Sequence, residues 1–360
     1  MKKTIIYAVL VFLVTILILN PEKSVLYTKN GILLCQDIIV PSLFPFFVCS
    51  GLLVYSGFCE ILSKLFKPIM KPLFNINSSG SAAFILGLIS GYPLGAVTTC
   101  QLYNSLYVSK SEAERLLAFC NNSGPLFILG AVGVSIYHSP QAGILLYCAH
   151  ILGAVSVGIL FRFYKTSSFN APKAEIVTEQ KSISEVFSIV LNNSIQSILT
   201  VCGCVIFCSV MVNLLMDMLS VNETFKALLN SSLEFVSGLS KISFLDISLF
   251  SKLIMSAGVC AFAGFSVHMQ VMGVAAKSGL SLKPYIFGKC LHAIFAILYT
   301  FILLKTFPLT TPTFSTHIIN TESLSAGFFI SSVYSILTVL LIVSMIIIYF
   351  TTKIYKKNKS

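Results

Sequence analysis

The sequence predicts an all-α polytopic membrane protein whose helices fall into two repeats, each holding a broken or re-entrant segment. Three observations lead there. Of 360 residues, 56% are hydrophobic and only 10% charged, with mean hydropathy +0.90; a soluble domain carries roughly 25% charged residues. Nine apolar segments follow one another, at about 5–19, 32–58, 81–107, 116–137, 142–163, 186–216, 250–276, 285–307 and 326–350, and most exceed the roughly 20 residues that span hydrocarbon. Two of these segments are interrupted by small and polar residues, the pattern of transporters built from repeats.

The formal charge of +11 does not point to nucleic acid. The basic residues sit between apolar runs and at the ends: Lys2 and Lys3, the Lys64/Lys67/Lys71 group, Arg162 and Lys165, and Lys353 to Lys359. This is the placement of cations that anchor membrane segments on the inner side, and no basic face interleaved with aromatics accompanies it. Eleven cysteines lie nearly all within apolar runs, where cysteine acts as a small hydrophobe. Cys202-Gly-Cys204 lacks a second ligand pair, so neither metal nor other cofactor is expected.

In chain order, 5–19 follows Lys2-Lys3 and ends at Asn20-Pro21-Glu22 without a small-x-small cleavage pattern, so it reads as an uncleaved first helix. Residues 1–30 form that helix and its loop, and 31–165 the first repeat. A polar linker occupies 166–184, the second repeat 185–350 and a basic tail 351–360.

Within 81–107, Gly87, Gly91 and Gly95 recur every four residues, which lets another backbone approach closely. Pro93 then removes a backbone donor. Either this helix is merely kinked or it turns back. Basic groups at both ends of the first repeat require an even number of crossings between them. Segments 116–137 and 142–163 supply two, so 81–107 is expected to be a re-entrant hairpin turning near Tyr92-Pro93, with Ser90 and Gly91.

The next polar island is Asn121-Asn122-Ser123-Gly124-Pro125. Gly124-Pro125 unwinds the helix, freeing carbonyls and exposing amides. Adjacent carboxamides at bilayer depth must pair or meet a ligand. They make either a helix–helix hydrogen-bond knot or a site for a polar heteroaromatic or carboxylate-bearing ligand.

The second half offers Asn193 and Ser194, with Asn192, Gln196 and Ser197 nearby, and Ser266, His268 and Gln270 inside the interrupted segment. Shifted by 173 residues, Ser90-Gly91-Tyr92 falls on Ala263-Gly264-Phe265. A matching hairpin at 250–276 would leave seven crossings and put the basic tail opposite the N-terminus. Either that segment spans fully or the C-terminal signal is weak. Lys289 and His292 are three apart and share a helix face, toward a cavity or with the lysine snorkelling outward. No nucleophile elbow, zinc-protease pair or phosphate loop occurs, so enzyme chemistry is not expected.

Three blocks, Pro41-Ser-Leu-Phe-Pro45-Phe-Phe, Ser90-Gly-Tyr-Pro-Leu-Gly-Ala96 and Glu112-Ala-Glu-Arg-Leu-Leu-Ala-Phe-Cys-Asn-Asn-Ser-Gly-Pro-Leu-Phe127, carry a resemblance to the sporulation integral membrane proteins of the YlbJ type (stage V sporulation protein V). It runs from about Gly31 to Lys305. It implies a nucleoside-recognition (Gate) domain and an architecture like that of concentrative nucleoside transporters. It also implies residence in the outer forespore membrane and movement of dipicolinic acid toward the forespore. The expected partners are then dipicolinate, a small anionic solute, and the lipid bilayer, with homo-oligomerisation left open. Helix N-termini at broken segments favour an anion, and Tyr92 could stack on the ring. The substrate site expected from these readings comprises Ser90, Gly91, Tyr92, Pro93, Asn121, Asn122, Ser123, Gly124, Asn193, Ser194, Ser266 and His268. Transport of a nucleoside or another solute, and a non-transporting scaffold of spore formation, are the competing readings.

Overall fold

The computed structural model describes residues 2–55, 64–66, 68–165, 182–218, 222–307 and 309. The linker core at 166–181, the apolar segment 326–350 and the basic tail lie outside these residues. Among the described residues the regular structure is helical throughout. Four helices are long and apolar enough to cross a membrane, Pro140–Phe161, Ser184–Asp217, Leu249–Ala276 and Lys283–Thr306. A fifth span arises if the pair Leu10–Leu19 and Pro21–Asp37, bent by 102°, counts as one.

That bend separates α1 (Lys2–Leu19) from α2 (Pro21–Leu34). Pro21 starts the second helix, where its missing N–H costs nothing, and the Asn20 side chain donates to the Ile16 carbonyl (3.0 Å) at the end of the first. A π-helical turn, Cys35–Ile39, joins α2 to α3 (Val40–Tyr55). Most of the second half's long helix α8 (Ile183–Asp217) runs antiparallel to this run. Gly31 lies against Ile206 and Gly51 against Val190, each letting the neighbour approach to van der Waals contact.

The apolar segment 81–107 is two short helices, α4 (Ser81–Ser90) and α5 (Leu94–Asn104). At 1.5 Å per residue each is about 15 Å long, half the hydrocarbon thickness. The arms fold back on each other, Gly87 against Gly95. Gly91 at the turn has φ 79°, and the Tyr92–Pro93 peptide is cis.

Segment 116–137 is also two pieces. Helix α6 (Lys110–Cys120) stops at an extended Asn121, and a π-helical stretch, Leu126–Ile136, resumes after Pro125. Ser109 and Glu112 form a reciprocal capping box at the start of α6, satisfying two orphan N–H groups. Glu112 also accepts from the Asn77 N–H (2.8 Å) and Glu114 from Ser281 N–H (3.2 Å), while Arg115 donates to the carbonyls of Asn75 (2.8 Å) and Tyr164 (3.0 Å). The charged end of the third block is therefore an anchor for three loops. Helix α7 (Pro140–Phe161) follows, capped by Ser139.

In the second half a hairpin precedes the broken helix, at a place the apolar segments miss. It consists of α9 (Glu223–Leu233) and α10 (Phe235–Phe244), which meet at Glu234. Glu234 caps α10 by accepting from Val236 N–H (3.1 Å) and Ser237 N–H (2.6 Å). The segment 250–276 does not turn back. Helices α11 (Leu249–Phe262) and α12 (Gly264–Lys277) continue one span, broken only at Ala263 with φ 81°. The 173-residue shift therefore pairs unlike positions: Ser90-Gly91-Tyr92 is a hairpin turn, and Ala263-Gly264-Phe265 is a break in a through-going span. The last described helix is α13 (Lys283–Thr306).

Candidate functional site

Backbone approach assembles the centre of the molecule. A β-carbon at Gly87 or at Gly95 would overlap the Cys120 carbonyl, and Gly91 packs on the backbone of Gly124. The four-residue glycine rhythm thus admits the end of α6 between the arms of the first hairpin, as its spacing predicts. In the second half Gly264, beside the break, meets the Ser231 carbonyl and Phe235 N.

The two halves then meet tip to break. The Tyr92 hydroxyl donates to the Cys260 carbonyl at 2.6 Å, and Ser123 Oγ reaches the same oxygen at 3.4 Å. That carbonyl is at the last turn before the break at Ala263, where helical acceptors lose their partners. The rings of Tyr92 and Phe127 pack on Phe235 with centroids 5.8 and 5.1 Å apart. Lys289, reaching in from α13, donates to the Asn121 carbonyl at 3.0 Å and lies 5.2 Å from the Tyr92 ring centroid.

A histidine pair supports the first break. The Ser123 N–H donates to His150 Nε2 (3.1 Å), so the His150 proton sits on Nδ1. His292 Nε2 donates to the His150 carbonyl (2.9 Å), leaving His292 Nδ1 facing Lys289 Nζ at 3.4 Å. The two rings are 4.5 Å apart.

Several buried polar atoms in this centre have no hydrogen-bond partner: Ser90 Oγ, both side-chain heteroatoms of Asn121, Asn122 Oδ1, Ser266 Oγ and His268 Nε2. Most buried polar groups are satisfied, so each such group calls for a reason. The Tyr285 phenol stands near the Asn121 amide and lies 2.8 Å from His268 Nδ1. Asn122 Nδ2 closes locally on the Phe119 carbonyl (2.8 Å). A cavity of ≈ 30 Å³ lies among Gly91, Tyr92, Ser123, Gly124, Phe235 and Ser266. It holds about one water molecule, too little for a solute in this conformation.

Nine of the twelve expected positions therefore gather around one centre: Ser90, Gly91, Tyr92, Asn121, Asn122, Ser123, Gly124, Ser266 and, through Tyr285, His268. Pro93 turns away. With Asn193 and Ser194 it lines a separate cavity of ≈ 380 Å³ between α3, α5 and α8. Asn193 is exposed there, and Ser194 closes on its own helix through the Val190 carbonyl (2.8 Å). These two do not reach the centre because they sit on a through-going helix with no break to turn them inward.

Sequence reasoning left Lys289, His150, His292 and Glu234 out of the site. A signal was present for the two histidines. Cys148-x-His150 recurs as Cys290-x-His292, and Cys120-x3-Gly124 at the first break recurs as Cys260-x3-Gly264 at the second. A third cavity, ≈ 890 Å³, opens beside the second hairpin and is lined by Asp37, Asp217, Glu223 and Asp246 with Lys226 and Lys241.

The nucleoside-recognition (Gate) family matches residues 38–202, a range that takes in the first hairpin and the first break. No solved structure matches the chain. The sporulation integral membrane protein YlbJ of Bacillus subtilis (strain 168) is 31% identical over 329 residues, an alignment covering 82% of this chain and 81% of that protein. At that identity and coverage, this chain belongs to the YlbJ family of sporulation integral membrane proteins.

Proposed function

We propose that this chain transports a small anionic heteroaromatic solute during sporulation, dipicolinate across the outer forespore membrane, without covalent chemistry. One observation carries the reading: two breaks and two hairpin turns converge on a buried centre holding unpartnered carboxamide and hydroxyl atoms. A scaffold gains nothing from unwound helices at bilayer depth, where each freed backbone group needs protein or a lined cavity. Paired discontinuous helices are the usual substrate sites of repeat-built transporters.

In this reading α4 to α7 and α9 to α13 are the working parts of two repeats, within 31–165 and 185–350. Each has a short hairpin, a broken helix and a long helix in the same order. The recurring Cys-x3-Gly at the breaks and Cys-x-His on the long helices support the pairing. The hairpins are re-entrant, and the arrangement resembles that of concentrative nucleoside transporters. In this conformation Tyr92 ties the first hairpin to the second break. Opening a site for a flat dicarboxylate requires releasing that bond.

The Gate family's description favours a second reading, a nucleoside as solute. Uptake of labelled dipicolinate into proteoliposomes tests both. The proposal expects saturable uptake that excess nucleoside does not compete away and that falls to the empty-vesicle level in Asn121→Ala/Asn122→Ala. Competition by nucleosides would favour the second reading, and no uptake by folded protein under any ion gradient would overturn transport.

A further inference from the structure

Lys289 is a lysine only 1% exposed in the middle of α13. Among the described residues no carboxylate lies within 4 Å of it, whereas Lys23, Lys165 and Lys226 each have one. Its surroundings are the Asn121 carbonyl at 3.0 Å, His292 Nδ1 at 3.4 Å and the face of the Tyr92 ring. These are all partial charges. Two neutral acceptors for three N–H donors leave the ammonium short of both hydrogen bonds and counter-charge, a costly state at bilayer depth. The acceptor it uses is also notable. The Asn121 carbonyl ends α6, and the side chain of that same residue holds two buried atoms without a partner.

We infer that Lys289 is the charge-recognising residue of this centre, and that its ammonium exchanges the Asn121 carbonyl for one carboxylate of a flat aromatic acid. The inference rests on the reading of this centre as a solute site. A carboxylate arriving beside Asn121 offers Lys289 the missing negative charge and offers the Asn121 amide an acceptor. It also releases the carbonyl that ties α13 to the first break. Bound acid thus satisfies the orphan groups and loosens a contact between the halves. Tyr92, whose ring faces Lys289, stands beside the aromatic part of the ligand.

The test uses the full-length protein in lipid nanodiscs and two probes of the same shape, pyridine-2,6-dicarboxylate and the neutral pyridine-2,6-dicarboxamide, with affinity read by titration calorimetry. Wild type is expected to prefer the dicarboxylate by about tenfold or more. Removing one partner of a buried charge pair has large effects. Lys289→Met should therefore lower dicarboxylate affinity by about 30-fold or more, leaving the dicarboxamide within about threefold. Lys289→Gln keeps a donor for the Asn121 carbonyl, so it reads out the loss of charge if the Met variant does not fold. A variant that folds and keeps the wild-type preference overturns the role of Lys289 while leaving transport of an anion intact. Equal binding of the two probes by wild type overturns charge recognition at this centre. Binding of neither probe overturns both this inference and the functional reading beneath it.

Discussion

The two hairpins do the same geometric job by different means. The first is held by the absence of side chains: Gly87 and Gly95 clasp the Cys120 carbonyl, and Gly91 sits on Gly124. The second is held by side chains that satisfy backbone and one another. Glu234 caps α10 through two N–H groups and Ser237 Oγ donates to Asn230 Oδ1 at 2.9 Å, with one glycine contact, Gly238 on Ser231, beside them. The breaks differ in the same sense. The first leaves the Asn121 side chain and Asn122 Oδ1 unpartnered, while the second is apolar in its side chains, Ala261-Phe262-Ala263. The difference teaches that the first half leaves most of the unpartnered polar groups at the centre and that the second chiefly braces them, contributing Ser266, His268 and Lys289 from its span and last helix; on the proposed reading it is the first half that presents these groups to the solute.

This division can be broken experimentally. The largest effect is expected at the clasp. Gly87→Ala or Gly95→Ala pushes a methyl into backbone that cannot yield, at a cost of about 3 kcal/mol or complete loss of folded protein. Gly273→Ala, with nothing within 4 Å of the new carbon, should stay within about 0.5 kcal/mol of wild type. Unfolding monitored in detergent by thermal scan compares them. Next comes the cap: Glu234→Ala removes two hydrogen bonds to a fully buried carboxylate and should destabilise by about 2 kcal/mol. Ala263 goes the other way. A non-glycine residue at φ 81° carries strain of about 1 kcal/mol, so Ala263→Gly should raise the melting temperature. Asn121→Ala should have a stability effect as small as that of Gly273→Ala, within about 0.5 kcal/mol, because neither heteroatom of its side chain makes a hydrogen bond. Its solute binding should nonetheless collapse.

The same contrast explains which parts of the molecule could be read from the chain. Glycines at a four-residue interval, Pro93 and Gly124-Pro125 have fixed backbone meanings, so the first hairpin and the first break were legible in place. The second hairpin was not. Its arms carry Glu223, Lys226 and Lys241 toward a polar cavity, which lowers local hydropathy and hides the hairpin from a search for apolar runs. Its turn is made by a glutamate N-cap, an uncommon capping residue, with no proline or glycine at the turn to announce it. The second break falls at an alanine held left-handed by its surroundings, and this is why 250–276 read as a hairpin candidate when it continues as one span. Asn193 and Ser194 part from the centre for the opposite reason: an adjacent amide and hydroxyl look like a site, but an unbroken helix carries them to another cavity. Lys289 shared a helix face with His292 in the sequence. Only the packing of α13 against the first break shows that it points inward.

Paired measurements of uptake and melting on Asn121→Ala and Glu234→Ala test the central claim most directly. Both variants are assayed for dipicolinate uptake in proteoliposomes well below their melting temperatures. The account predicts a crossed result: Asn121→Ala melts like wild type and takes up no more than empty vesicles, and Glu234→Ala melts earlier but retains most of its uptake. Wild-type uptake by a folded Asn121→Ala would contradict it, because the solute would then have no need of the break.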